Sequence, residues 1–369
     1  MGDRAPYPPE YMVPPFPVPE VPAGMPPPSH DDVVAELRHL VGDQEPPGDF
    51  LYHYTTLQAL YGMVESKAVW CTEATHLNDL REQLEFERLL KGFVAVVATG
   101  GELLAPRPAN RAGGIIAATM EFRKRLEPFI DGQIAVPKFV FSLTAEPDQL
   151  SQWRGYARGD GVAVGFCWRA LRDVASRRRH IFARCDYEEF GLDRVRMRSY
   201  GDHRQQPVTE RDVSSSIRQR IHGLRANEWH HRPDALLSYL QRLAYLAPVA
   251  KDQGFHEERE WRVFAAEGIS DLRNFVHHPR RDRLVRRAVL EIGTGAPHAT
   301  PIRKVVLSPA LSADPDGVAR IVSNLDWHAS QVGHHGFSAE QVGRHRSVAD
   351  AAQTEGKAVV RVSTIPLRD

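Results

Sequence analysis

The feature that most constrains this chain is a series of short strand-like runs set irregularly among amphipathic helical stretches. FLYHYT (50–55), VWCTEA (69–74), KFVFSLT (138–144), VAVGF (162–166), RLVRRAVLEIG (283–293), KVVLSP (304–309) and VVRVSTIP (359–366) are rich in β-branched and aromatic residues. Residues 184–187 and 258–265 also read as extended. TLQALYGMVESK (56–67) places Leu57, Leu60 and Val64 on one helical face, with Thr56 at its start. Further helices are expected over 78–97, 110–129, 214–224, 234–246 and 315–325. Strands and helices intermix without strict alternation, so the class is α+β, a mixed or antiparallel sheet flanked by helices.

The first 48 residues stand apart. From Pro6 to Pro28 prolines recur every few residues, which removes ladder donors and fixes φ, so this stretch reads as an extended or disordered tail, or as a ligand for an aromatic-lined groove. One short helix, DDVVAELRHLV (31–41), is expected within it, capped by Ser29 and carrying acids in its first turn. Residues 49–369 form one domain, with a polar His- and Gly-rich insertion or mobile loop near 330–354.

Composition excludes several classes. Equal numbers of basic and acidic residues, 47 each, argue against coating nucleic acid by bulk charge, although a local basic groove is compatible with it. RRRH (177–180) and RRDRLVRR (280–287) read either as a phosphate-tracking surface or as solvated faces. Three cysteines without a CxxC pair fit a reducing compartment, and no apolar run reaches the ~18 residues of a membrane span, so the chain reads as cytoplasmic and not membrane-bound. No histidine pattern has zinc spacing and no Gly-x-Ser-x-Gly occurs, so neither a metal site nor an α/β-hydrolase is expected.

Three stretches carry polar chemistry. In LYHYT, strand alternation puts His53 on a face with Leu51 and Thr55, while Tyr52 and Tyr54 point the other way. His53 reads either as a ribose- or amide-binding group or as a core histidine satisfied by backbone. In FSLT followed by SQWRGY, Ser142, Thr144, Trp153, Arg154 and Tyr156 lie close in sequence, offering stacking faces and a phosphate-pairing fork. The other reading is a helical turn whose Trp153 anchors the core and whose Arg154 caps a helix. The nearby glycines 155, 159, 161 and 165 precede a strand instead of joining strand to helix, so they are no dinucleotide fingerprint. In EREWRVF, strand alternation groups Glu258, Glu260 and Arg262 on one face, either a solvated salt-bridged surface or a carboxylate held in a cleft. Asn78 to Glu82 looks like a polar motif but matches a helix capping box.

Taken together, YHYT, LND, SQWRGY, GVAVGF, EREWR and VSTIP resemble a bacterial family catalogued as domain of unknown function 2971, over roughly residues 50–369. That pattern is in turn distantly similar to ADP-ribosyltransferases, with LYHYTTLQALYGMV resembling the opening of the DNA-modifying members. The resemblance implies an ADP-ribosyltransferase-like fold and NAD as co-substrate. It implies that His53, beside Tyr54, binds the ribose and that Thr55 supports the ribose or amide. Ser142/Thr144 or Tyr156 would serve the nicotinamide, with Trp153 beside them. Glu260 would be catalytic, with Glu258 facing the target. A carboxylate there would stabilise positive charge developing on the ribose, and Arg154 or Arg262 would pair the pyrophosphate. The implied activity is transfer to a macromolecular acceptor (DNA, RNA or protein) by a toxin or anti-phage effector, with an antitoxin or activator as a partner. The alternatives are a non-catalytic nucleotide-binding or sensing module and an NAD-cleaving glycohydrolase; a nuclease lacks an evident acidic metal cluster.

Overall fold

A computed structural model describes residues 26–41, 45–77, 86, 90, 128–157, 159–188, 233–280, 283–293, 300–334, 336–339 and 357–365. The helices expected over 78–97, 110–129 and 214–224 lie wholly or mostly outside these residues, as does the capping-box segment from Asn78 to Glu82.

In chain order the labelled elements are α1 (His30–Val41), β1 (Phe50–Thr56), α2 (Leu57–Ser66), β2 (Ala68–Glu73), β3 (Lys138–Thr144), α3 (Leu150–Tyr156), β4 (Gly161–Cys167), α4 (Trp168–Arg177), β5 (Ile181–Arg184) and β6 (Asp186–Glu188). There follow α5 (Pro233–Tyr245), β7 (Ala250–Asp252), β8 (Glu260–Ala266), β9 (Phe275–Arg280), β10 (Arg283–Glu291), β11 (Ile302–Leu307), α6 (Pro309–Ser312), α7 (Pro315–Gln331), β12 (Phe337–Ala339) and β13 (Ala358–Val362). The fold is α+β, with a mixed, mostly antiparallel sheet in the order β12-β13-β11-β4-β1-β3-β2-β10-β9. Only the β11–β13 and β12–β13 pairs of that sheet are parallel. β6 and β7 form a separate parallel pair.

The sheet branches at β3. One edge of β3 is fully paired with β8, from Lys138↔Ala266 to Thr144↔Glu260, and β5 lies beyond β8. The other edge is shared by two strands. β1 meets it only at Tyr52↔Thr144, and β2 only at Thr72↔Val140 and Glu73↔Phe139. β1 and β2 are therefore two prongs of a fork whose floor is the middle of β3, and α2 bridges them. Local chemistry sets α2: the Thr56 hydroxyl accepts from the Ala59 N–H at 3.2 Å, and Lys67 closes the helix in the left-handed region at φ 48°.

Period-two alternation gives β3 and β8 two apolar faces, because helices cover both. Phe139, Phe141, Leu143, Trp261 and Val263 join one core with α2, α4 and α7. Val140, Phe264 and Ala266 join another with α1 and α5. A smaller cluster seats Tyr52 and Tyr54 against Trp153 of α3. Gly161 and Gly165 serve packing: a Cβ on Gly161 would lie 1.8 Å from the Ala157 carbonyl oxygen, and one on Gly165 would lie 2.8 Å from the Tyr52 ring. Packing thus accounts for two of the four glycines, and Gly159 takes a positive φ of 68°.

Several expectations are corrected. Helix α1 is not part of a free tail, since Val33 and Leu37 are buried with Leu240 and Leu243, and Glu36 pairs with Arg242 at 3.0 Å. The apolar face of DDVVAELRHLV needed a partner, and α5 supplies it. Helix α7 runs six residues past Leu325, because Leu325 and Ala329 both face the core. His334 and Phe337 are also buried, so the polar stretch from Ser330 contributes to the fold at least as far as Ala339. Strand β9 was missed because FVHHPR carries a proline, which its place at the sheet edge tolerates. Within the two arginine runs, Arg178 pairs with Asp271 and Glu291, and Arg286 pairs with Glu73 and Glu267.

Candidate active site

The fork opens a cavity of about 830 Å³ between the prongs, and its wall includes His53, Tyr54, Thr55, Ser142, Thr144, Tyr156, Glu258, Glu260 and Arg262. Splitting β3 between two partners leaves the Ser142 carbonyl facing the gap. The His53 Nδ1–H donates to that carbonyl at 2.8 Å, so in the neutral ring Nε2 is the acceptor. Burial pushes the His53 imidazole down to about 4, against the raising effect of the Ser142 bond, and its ring lies 4.4 Å from that of Phe141. His53 is thus satisfied by backbone, as one of its two readings expects, and also part of the cavity wall.

The carboxylates sit at the Thr144 end of β3. Cross-strand pairing sets Arg262 beside Ser142 and Glu260 beside Thr144. Glu260 receives a two-pronged bond from Arg262, Nε to Oε1 at 2.7 Å and Nη2 to Oε2 at 3.0 Å, and Lys251 donates to the same Oε2. Burial alone would raise the Glu260 carboxyl, but Arg262 and Lys251 outweigh it and hold the group well below the ordinary carboxylate range. Arg262 also donates to the Pro248 carbonyl at 2.7 Å. Its guanidinium is therefore engaged by Glu260 and Pro248, which leaves fewer of its N–H groups for a pyrophosphate.

Glu258 is not on the strand. It ends a 3-10 turn (Gln253–Glu258), and Arg259 turns the chain through the left-handed region at φ 43° before β8 begins. Glu258 still converges on the site, because Lys251 Nζ donates to its Oε2 at 2.6 Å and the Thr144 hydroxyl donates to its carbonyl at 2.6 Å. The Tyr156 hydroxyl lies 3.5 Å from Glu258 Oε1. Tyr187 Oη accepts from the Glu260 N–H at 2.6 Å. Lys251 joins both carboxylates and was not legible in sequence, since AKDQGF carries no pattern that distinguishes its lysine.

Trp153 and Arg154 do not line the cavity. Trp153 packs edge-on against Tyr54 at 4.6 Å and donates Nε1–H to Asp148 at 2.8 Å, which is the core-anchor role. Arg154 is exposed on α3. Asp148 also accepts from the Ser363 and Thr364 hydroxyls and the Thr364 N–H, tying VSTIP to SQWRGY and thereby holding α3 and Tyr156 beside the site. Tyr54 reaches the cavity with its flank, while its hydroxyl donates to the Glu146 carbonyl at 3.0 Å.

Among the described residues there is no cluster of three metal-ligating side chains, and no helix is long and apolar enough to cross a membrane. A family model described as "Protein of unknown function (DUF2971)" matches residues 152–263, under a third of the chain. The match runs from α3 to β8 and holds Tyr156, Lys251, Glu258, Glu260 and Arg262, but it stops short of His53 and Ser142. No curated protein and no solved structure matches the chain.

Proposed function

We propose that this protein is an NAD-dependent ADP-ribosyltransferase acting on a macromolecular target. What carries the reading is convergence: His53, Ser142, Tyr156 and the Glu258/Glu260 pair, spread over more than half the chain, line one nucleotide-sized cavity. Their elements follow the order the resemblance calls for, a His-bearing strand and helix, a middle strand with hydroxyls, then a late strand with a carboxylate. The forked sheet is accordingly read as ADP-ribosyltransferase-like.

NAD fits the wall chemically, which offers aromatic faces, hydroxyls and cations, and it would supply its own leaving group. Glu260 remains ionised throughout the physiological range, so it does not move a proton. It acts by charge: an anion fixed in a desolvated wall stabilises the positive charge that develops as the nicotinamide C–N bond breaks. The nicotinamide leaves with the C–N bond pair, and the acceptor nucleophile forms the new bond at that carbon and gives up its proton to water. In this reading Glu258, whose Oε1 lies 3.5 Å from the Tyr156 hydroxyl, orients the acceptor, and His53 Nε2 accepts from a ribose hydroxyl.

One observation favours a second reading, a binding module without turnover. Arg262 and Lys251 already neutralise Glu260, and a doubly paired carboxylate stabilises a nearby cation less than an unpaired one. The two readings separate when labelled NAD is incubated with the protein and DNA, RNA or lysate, beside Glu260→Gln and Glu258→Gln. The transferase reading expects label on a macromolecule, reduced at least a hundredfold by Glu260→Gln while NAD still raises the melting temperature. Full activity in Glu260→Gln would exclude it. Nicotinamide release without labelling would indicate a glycohydrolase, and ligand-dependent stabilisation without NAD consumption would leave the binding module.

A further inference from the structure

Among the described residues, the cavity wall holds three side chains that are cations at neutral pH: Lys251, Arg262 and Arg287. Lys251 and Arg262 are ion-paired at the carboxylate end. Arg287 is elsewhere, on β10, with its guanidinium carbon 5.3 Å from the centroid of the Trp70 ring. Strand register shows where. Arg287 pairs with Thr72, Val289 with Trp70, and Val285 with His278, while Thr72 pairs with Val140 of β3. Side chains opposite one another across paired strands share a face, so Arg287, Trp70 and His278 project on the same side of the sheet as Ser142, Thr144, Arg262 and Glu260. Val140 and Thr144 are four residues apart on β3, which separates the two ends of the cavity by roughly 13 Å at about 3.3 Å per residue. That is a distance for a ligand with two parts.

The chemistry of this end is specific. Trp70 is a large aromatic left 42% exposed, although its strand neighbours Val69 and Cys71 are fully buried. His278 stands 5.9 Å from it, centroid to centroid, and Arg287 lies over it. An accessible indole is a platform for a planar base, and a guanidinium beside it is a partner for the phosphate one ribose away.

We propose that Trp70 and Arg287 form a base-and-phosphate subsite that takes the nucleoside diphosphate part of a ligand whose other end meets the carboxylates. The assignment rests on reading the cavity as a nucleotide site, but not on turnover. It gives the phosphates to Arg287 because that guanidinium lines the cavity at the exposed indole, 5.3 Å from the ring centroid.

The test is calorimetric titration of the whole protein with ADP, ADP-ribose and adenosine, using Arg287→Gln, Arg287→Lys and Trp70→Leu variants whose folding is checked by thermal melting. Arg287→Gln is expected to weaken ADP binding at least tenfold and adenosine binding less than about threefold, because only the phosphates meet the guanidinium. Trp70→Leu is expected to weaken both by about tenfold, through lost stacking. Should Arg287→Gln fail to fold, Arg287→Lys keeps the charge without the fork and is expected to bind ADP several-fold more weakly than the unaltered protein. Equal ADP affinity in a folded Arg287 variant, or no saturable ADP binding by the unaltered protein up to millimolar concentration, overturns the subsite. NAD consumption with unchanged KM in Arg287→Gln would overturn the subsite and leave the transferase standing. Arg287-dependent ADP binding without NAD consumption would do the reverse.

Discussion

At the carboxylate end of the cavity, the side chains of Lys251, Glu260 and Arg262 are each at most 6% exposed, whereas Trp70 at the opposite end is 42% exposed. The first group has exchanged water for a closed set of ion pairs and for the Pro248 carbonyl. Its members hold one another in place, and the two cations balance the two carboxylates once Glu258, the second partner of Lys251, is counted. The second group keeps an indole in solvent beside a guanidinium, a surface that gains most when something covers it. The contrast teaches that one cavity can join two kinds of surface: a buried end whose side chains fix one another, and an open end that leaves an indole in water.

Replacing Arg262 with Leu is the strongest way to break this comparison. It leaves the Glu260 carboxylate buried with half its partners gone, and removal of one member of a buried pair costs about 3–5 kcal/mol. Urea denaturation at neutral pH measures this, and a loss below about 1 kcal/mol would mean that water already reaches the network.

His53 lies between the two ends and sharpens the comparison through pH. Its imidazole is held down at about 4 against an ordinary 6.5, so between those values the unfolded chain binds a proton that the folded chain refuses. This contribution to stability is therefore intact above pH 6.5 and is lost as pH falls toward 4, by roughly 3 kcal/mol in all. His53→Asn, which retains a donor for the Ser142 carbonyl, is expected to flatten the stability–pH curve over that window. A slope unchanged by the substitution would show that other groups cause it. Glu260 adds no slope above about pH 6, because it is ionised in both states there, and its contribution to stability is lost only at more acid pH.

The smallest effect is expected from Trp70→Leu, at most about 1 kcal/mol of stability, because much of the ring is already in water. A loss as large as that of Arg262→Leu would erase the distinction between the two ends.

Much of the architecture was legible in the residues. Alternation in LYHYT separated His53 from Tyr52 and Tyr54, and the structure seats those tyrosines against Trp153 on the opposite face. Glu260 and Arg262, two apart in EREWR, share a face as their spacing required. Glu258 obeyed the same arithmetic only on paper, because the left-handed turn at Arg259 breaks the strand before it reaches Glu258. Trp70 and Arg287 carried a signal that was there to be read: VWCTEA places its tryptophan opposite Val69 and Cys71, and RLVRRAV places Arg283 and Arg287 on one face and Arg286 on the other. Lys251 had no such signal.

What the sequence by itself determined were properties of single segments: which runs are strands, which side of each is apolar, and which residue types could bind a ribose or stabilise a cation. Periodicity and propensity act over a few residues, and those decisions were local. Only the tertiary structure decided that β1 and β2 share one edge of β3, that the gap between them becomes a cavity, and that Lys251 closes on Glu258 and Glu260 while Arg262 is taken up by Glu260. Those outcomes depend on pairing between segments as much as a hundred residues or more apart, and on the exchange of hydration for ion pairs once they meet. No short-range pattern encodes either.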